Sequence, residues 1–291
     1  MGHKNKKSLT QQVEERLQSM CRFGQSRYEA KQNGSDRNGI YSYSTYYSYL
    51  KWSYYFAKYC ISNHHCKTID SCRPYVDEWL TGMADRYSTY TIKLAAASLA
   101  KLFGCSATDF VETQARKRAD ITRSRVVKGM DSHFSETKNS DLVTVCRSTG
   151  LRRHEVAALR GTDLVERGGK YYVHVRKGKG GKERYVQVIG DVYSVVSIMR
   201  AAGESKVFNK VHSAADIHGY RREYATRLYA QCARAYDKIR RNERYYCRRD
   251  KRGVVYDRRA MLIVSRNLGH NRINVIAEHY LDSPDNLTVA T

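Results

Sequence analysis

Proline is almost missing from this chain, with two residues in 291, and glycine stops at 19. Without low-complexity tracts, that scarcity excludes a collagen-like repeat and a disordered, linker-rich protein. Long apolar runs are missing too. No stretch reaches the roughly 20 apolar residues that a bilayer-spanning helix needs, and the basic N-terminus leads into no signal-type apolar core. These absences point to a soluble, cytoplasmic product with no membrane partner. Acidic residues are also in short supply. Only 29 Asp and Glu face 52 Lys and Arg, which leaves a net charge of +23. A fold does not need that imbalance. A polyanionic partner accounts for it, and nucleic acid is the default. The eight cysteines contain no C-x-x-C pair, so reduced thiols are expected. Cys60, His64, His65, Cys66 and Cys72 cluster in sequence. Their spacing matches no common zinc pattern and Cys60 continues a helical apolar stripe, so neither a metal nor a cofactor is expected.

What is present reads as two domains, which the chain's 291 residues suit better than one. Residues 1–39 form a basic N-terminal helical extension with Leu9, Val13, Leu17 and Met20 on one face, closed by a turn-rich break around Gly34. Residues 40–105 read as a helical bundle. Its first helix carries Tyr46, Leu50, Tyr54, Ala57 and Ile61, flanked by Tyr49, Ser53, Phe56 and Cys60. A second begins near Ser71 with Pro74 in its first turn. A third is capped by Ser88 and stopped by Gly104. Eight tyrosines fall between positions 41 and 59. Half suit core packing; the rest, with Lys51 and Lys58, suit contacts to DNA phosphates. Residues 106–134 form a basic linker in which Arg116, Lys117, Arg118, Arg123, Arg125 and Lys128 can track a phosphate backbone. From 135 to 291 the pattern mixes helices with two strands, 171–175 and 184–188, joined by the turn that carries Lys177, Lys179 and Lys182. A second hairpin is inserted at about 236–257.

Five separated pieces carry chemistry: Arg152 with Glu155, Lys179, His218 with Arg221, His270, and Tyr280. Cleaving a phosphodiester with a side-chain oxygen requires an in-line nucleophile, neutralised non-bridging oxygens and a proton for the leaving oxygen. Arginine's planar fork suits the second task. His218 and Arg221 lie three apart on a helix and share a face. Lys179 at a hairpin tip can reach the leaving oxygen, with Lys177 and Lys182 as alternative acids. A tyrosyl ester formed by Tyr280 conserves the bond energy, so religation needs no ATP.

Thr149-Gly150-Leu151-Arg152-Arg153-His154-Glu155, Gly178-Lys179-Gly180-Gly181-Lys182-Glu183-Arg184, His218-Gly219-Tyr220-Arg221 and Leu268-Gly269-His270 resemble the ordered boxes of the tyrosine recombinase (phage integrase) family. Tyr280 falls where that family keeps its nucleophile. The resemblance implies a mainly α fold with a small antiparallel β-sheet, in which a helical core-binding domain and an α/β catalytic domain clamp double-stranded DNA. It implies Arg152, Lys179, His218, Arg221, His270 and Tyr280 as catalytic residues, Glu155 as support for the first arginine, and Lys177 and Lys182 as DNA contacts. It further implies a synaptic homo-tetramer, a Holliday junction, no metal, and accessory excisionase or DNA-bending proteins. The setting implied is the bacterial cytoplasm, in association with the nucleoid. Ten positions separate His270 from Tyr280, one more than is usual, and 11 residues follow Tyr280. The 236–257 insert resembles integrases of mobile elements, and residues 1–39 leave no room for an arm-site-binding domain. Two other readings compete. A type IB topoisomerase would use the same nucleophile chemistry within one duplex. An accessory DNA-binding protein would keep the fold without the reaction.

Overall fold

Helix caps written into the sequence set the first unit's elements. The protein is described by a computed structural model over residues 7–34, 39–115, 134–179, 181–248 and 251–281. Its chain divides into two compact units, Met1–Ile121 and Thr122–Thr291. In the first, Ser8 accepts a hydrogen bond from the Gln11 amide and Gln11 returns one to the Ser8 amide, so helix α1 (Leu9–Ser19) starts on a capping box. A short helix α2 (Arg27–Gln32) buries nothing. Ser42 caps α3 (Tyr43–His64), which ends at His65 in the left-handed region, φ 52°. Thr68 caps α4 (Ile69–Cys72). A 3-10 turn holding Pro74 leads into α5 (Val76–Gly82). Ser88 and Gly104 bound α6 (Thr89–Phe103).

The core of this unit joins Leu9, Val13 and Leu17 of α1 to Trp52, Phe56 and Cys60 of α3 and to Ile92, Ala95, Ala96 and Leu99 of α6. Helix α1 is thus part of the bundle. Three fully covered side chains of α1 close the bundle's core, and the segment returns to it where the Cys21 and Ile40 backbones pair. The buried stripe of α3 also differs from the one expected. It runs through Trp52, Ser53, Phe56, Ala57 and Cys60, whereas Ile61 is exposed and Tyr46, Leu50 and Tyr54 are half-buried. Phe56 of α3 and Ala95 and Ala96 of α6 share this core, and Ile61 has no part in it. Of the eight tyrosines, Tyr43, Tyr47 and Tyr55 are exposed. Tyr54 and Tyr59 instead donate to the carboxylates of Glu14 and Glu78, and burial and these bonds push each phenol up to about 12.

In the second unit, α7 (Ser140–Thr149) ends at Gly150, α8 (Arg153–Ala158) follows, and a meander of β1 (Leu164–Arg167), β2 (Lys170–Val175) and β3 (Arg184–Gln187) forms an antiparallel sheet. The sequence pattern indicates β2 and β3 but not β1. Gly168 and Gly169, both at positive φ, make the tight turn that pairs Arg167 with Lys170. Helix α9 (Val192–Ala202) precedes the central α10 (Ile217–Cys232), which packs on α7 and on α11 (Arg258–Asn267). The insert folds as β4 (Arg244–Tyr246) and β5 (Val255–Asp257), an antiparallel pair. Arg234 ties this hairpin down through Asp257 at 2.8 Å and Glu243 at 2.7 Å. A final short helix, α12 (Asn274–His279), leads to Tyr280. Among the described residues, no helix is long and apolar enough to cross a membrane. The linker cations Arg116, Lys117, Arg118, Arg123, Arg125 and Lys128 lie outside the described residues.

Because α1 is integral to its core, Leu17→Ala should cost the first unit about 3 kcal/mol, the usual range for emptying a buried leucine site. Urea unfolding of the full chain followed by tryptophan fluorescence measures this, since Trp52 and Trp79 both lie in that unit. An unchanged midpoint would contradict that role for α1.

Candidate active site

The site is assembled where α7 ends. Gly150 adopts φ 57°, and a Cβ there would sit 2.5 Å from the Tyr224 ring. Glycine is thus required twice over, by backbone conformation and by contact. The turn presents the Gly150 carbonyl to Arg221 of α10, whose Nη1 donates to it. Arg221 Nη2 donates to the Leu268 carbonyl just past α11. Nε donates to the Tyr280 hydroxyl at 3.1 Å. Arg221 is 1% exposed, and burial pulls its pKa below the ordinary arginine value. One guanidinium therefore ties together the ends of α7, α11 and α12.

Arg152 opens α8, and its amide donates to Glu155 Oε2 at 2.8 Å while Nη1 donates to Oε1 at 3.0 Å. Glu155 is also gripped in bidentate fashion by Arg184 of β3, at 2.9 and 2.7 Å. Burial alone would raise the Glu155 pKa. The Arg184 bonds, the Arg152 amide and both positive charges outweigh it and hold the carboxyl down at about 2. Arg184 Nε reaches the Asn267 carbonyl at 2.8 Å, and Arg152 Nη2 lies 3.5 Å from the Gly269 carbonyl. Removing one member of such a buried ionic group costs about 3–5 kcal/mol, because it strands the others. Arg184 stands inside the lysine-rich motif, yet on sequence it reads as a strand residue; its role emerges only when β3 is placed beside α8.

His270 follows Gly269, and its Nε2 lies 3.1 Å from the Tyr280 hydroxyl and 3.4 Å from Arg221 Nη2. Burial, followed by the charges of Arg221, Arg152, Lys179 and Arg184, pulls its pKa down to about 4. The imidazole is therefore neutral at neutral pH. Since the tyrosine oxygen already accepts from Arg221, and Arg221 Nη2 also points at Nε2, the network is satisfied when Nε2 is the bare nitrogen. The phenolic proton then lies on a path to His270.

Tyr280 is anchored through its main chain as well. Thr226 Oγ1 of α10 donates to its carbonyl at 3.2 Å. Lys251, from the insert, donates to the carbonyls of Ala277, at 2.7 Å, and Leu281. No sequence motif signals either anchor.

The other site candidates take different places. Lys179 is exposed in the β2–β3 turn, close enough for its charge to act on His270. The turn folds tightly: the Gly178 amide donates to the Lys182 carbonyl at 2.8 Å, and a Cβ on Gly178 would meet Arg184 at 2.8 Å. Lys182 reaches across to Asn271 Oδ1 at 2.7 Å, and Lys177 is exposed. His218 is exposed near the start of α10, although Arg221 one turn later is buried. Lys51 and Lys58 are exposed on α3 of the other unit, where the Lys51 ammonium lies 5.4 Å from the centre of the Trp52 ring. Contacts thus unite Arg152, Glu155, Arg221, His270 and Tyr280, and add Arg184. Apart from Glu155, the group is cationic or neutral, which suits an anion with developing charge.

The depressed His270 pKa also sets a pH dependence. The unfolded chain takes up a proton near 6.5, the folded chain near 4, so stability is present above this window and is lost as pH falls through it. The melting midpoint of the wild type should drop more between those two pH values than that of His270→Gln. Parallel melting curves would contradict the burial-driven shift.

No protein-family model matches the chain, and none of the curated proteins matches it. Solved structures do. The chain is similar to XerH site-specific recombinase bound to palindromic difH substrate in a post-cleavage complex, with a TM-score of 0.52 and 15% identity over 96% of this chain and 92% of that one. A Tn1549 transposon integrase in complex with transposon right end DNA aligns at TM-score 0.48 and 14% identity, over 95% of this chain and 97% of that chain. XerA recombinase aligns at TM-score 0.34 and 15% identity, over 94% and 96%. At such identities the XerH likeness is one of fold, and over nearly its whole length the chain has the fold of the tyrosine recombinases.

Proposed function

We propose that this chain is a site-specific DNA recombinase that breaks and rejoins DNA through a 3′-phosphotyrosyl intermediate. The observation that carries this reading is the Tyr280 hydroxyl held at 3.1 Å from both Arg221 Nε and His270 Nε2. A tyrosine so placed has its oxygen polarised by a buried cation and its proton facing a neutral imidazole. The net charge of +23 suits DNA as the substrate.

In the reaction, the Tyr280 oxygen attacks phosphorus and its proton passes to His270 Nε2. The phosphorus bond to the 5′-oxygen breaks, and that oxygen takes a proton from the Lys179 ammonium. Arg152 offers its remaining N–H groups to the non-bridging oxygens, and His218 adds a donor from the start of α10. Both terminal nitrogens of Arg221 already donate to carbonyls and its Nε to Tyr280, so its task is to hold Tyr280 as much as to bind phosphate. Glu155 and Arg184 keep Arg152 aimed. Rejoining runs the same steps backwards with a new 5′-hydroxyl. Further parts of this reading are strand exchange through a Holliday junction in a tetramer and movement of a mobile element. Lys51, Lys58, Lys177, Lys182 and the 106–134 cations serve as phosphate contacts in it.

Nicked suicide duplexes built from the DNA flanking the gene test the chemistry. Wild-type protein should form a covalent adduct, and peptide mass spectrometry should place it on Tyr280. Tyr280→Phe should form none while binding the same duplex almost as well, because only the hydroxyl is lost. An adduct on another tyrosine, or no adduct from wild type, would refute the assignment.

Lys179→Ala should bind DNA yet cleave it at least about 100-fold more slowly, as expected for a lost general acid. A bridging 5′-phosphorothiolate should restore its cleavage, since sulfur leaves without a proton. Rescue confined to Lys177→Ala or Lys182→Ala would move the acid elsewhere on the hairpin.

A further inference from the structure

Three buried thiols converge in the first unit, which holds none of the residues proposed above for catalysis. Cys60 lies in the last turns of α3, Cys66 follows the left-handed His65, and Cys72 ends α4. Their sulfurs all lie within 4.8 Å of one another. Each residue is covered, at 0%, 8% and 2% exposure. The backbone that gathers them is firmly built. His65 at φ 52° reverses the chain, the Cys66 amide bonds back to the Cys60 carbonyl at 3.2 Å, and Thr68 caps the next helix.

Cysteine can fill a core simply as a small hydrophobe, and Cys146 is buried alone in that way. Packing does not require three sulfurs, drawn from three points of a chain reversal, to meet at one place. Among the described residues, this is the single group of three or more His, Cys, Asp or Glu side chains placed to hold an ion. The thiols are already polarised. A hydrogen bond from Cys60 lowers the Cys72 pKa, and the same contact, with burial, raises that of Cys60. Cys66 and Cys72 sulfurs otherwise touch only carbonyl oxygens, of Ser71 and Thr68, each at 3.3 Å.

Thiolate bonds to zinc measure about 2.3 Å, which sets ligating sulfurs roughly 3.8–4.0 Å apart. Closing the triangle to that size asks for movement of less than about 1 Å, within side-chain adjustment. Hard cations prefer oxygen, whereas thiolates select soft ions. The neighbouring His64 is engaged elsewhere: its ring stacks on Tyr75 at 3.6 Å, and Nε2 lies 3.4 Å from Glu78. The donor set is therefore sulfur alone.

We propose that Cys60, Cys66 and Cys72 form a binding site for one soft d10 cation, Zn²⁺ or Cu⁺, which clamps the end of α3 to α4. Binding displaces the thiol protons and leaves three metal–sulfur bonds, with no change of oxidation state. The site is structural, so its readout is stoichiometry and stability rather than DNA cleavage. It stands whether or not Tyr280 proves to be a nucleophile.

The full chain, reduced with a phosphine and kept anaerobic, is offered Zn²⁺ alone or Cu⁺ alone and then desalted. Elemental analysis should find one equivalent of at least one of the two, and the better-retained ion identifies the native metal. That ion should raise the first unfolding midpoint by roughly 5 °C or more, as expected for ligand excess over a tight site. Cys66→Ala changes the least covered of the three positions and should lose both effects. Cadmium titration of the wild type needs no variant. It should give the ultraviolet sulfur-to-cadmium band with the intensity of three thiolates per cation. Failure to retain either ion, an unchanged equivalent in Cys66→Ala, fewer than three thiolates per cadmium, or a two-hydrogen mass loss marking a Cys60–Cys72 disulfide would each overturn the proposal.

Discussion

A buried guanidinium cannot lose its charge, so the fold around it must supply what water no longer does. Arg221 meets that requirement with the carbonyls of Gly150 and Leu268 and the hydroxyl of Tyr280. These groups come from three different chain segments. The need to satisfy one cation therefore brings the end of α7, the start of the His270 loop and the end of α12 together. The rest of the site follows from that convergence. Gly150 must be glycine because Tyr224 fills the space behind it, and His270 is desolvated because Arg221 and its acceptors fill the space in front.

Glu155 plays the matching part for the other arginines. It is a single buried carboxylate shared by Arg152 and Arg184, with its pKa held at about 2. It neutralises part of the positive charge that would otherwise press the cationic groups apart. It also joins β3 to the start of α8. The turn that carries Lys179 is continuous with β3, so the position of that lysine depends on an ion pair between residues 29 positions apart.

Features set by local chemistry were readable from the sequence. Ser88 and Gly104 bracket α6 because a hydroxyl cap and a left-handed glycine act within a few residues of the helix ends. The inserted hairpin, expected at about 236–257 and found as β4 and β5, and the boxes around Arg152, Arg221 and His270 were legible for the same reason or by resemblance. Features set by contacts across the chain were not. Which stripe of α3 faces inward depends on α1 and α6. The strand at Leu164 is four residues long and alternates too briefly to stand out, though Gly168-Gly169 marks its turn. The partnership of Arg184 with Glu155, and the meeting of Cys60, Cys66 and Cys72, depend on geometry that no local spacing encodes. The linker cations and the turn glycine Gly180 lie outside the described residues, so their part stays a matter of sequence.

The anchoring of Tyr280 has a consequence for how such a site could be kept quiet. Thr226 holds its carbonyl, Lys251 holds the carbonyls of Ala277 and Leu281 on either side, and Arg221 and His270 contact its hydroxyl, all within the second unit. A hydroxyl held by both Arg221 and His270 has less motional freedom left to lose when substrate arrives. Lys179, on the β2–β3 turn, is exposed. In the reaction proposed above, the acid therefore stands outside the bonds that hold the tyrosine, and a factor that displaced a few residues of turn would act on the acid without touching Tyr280.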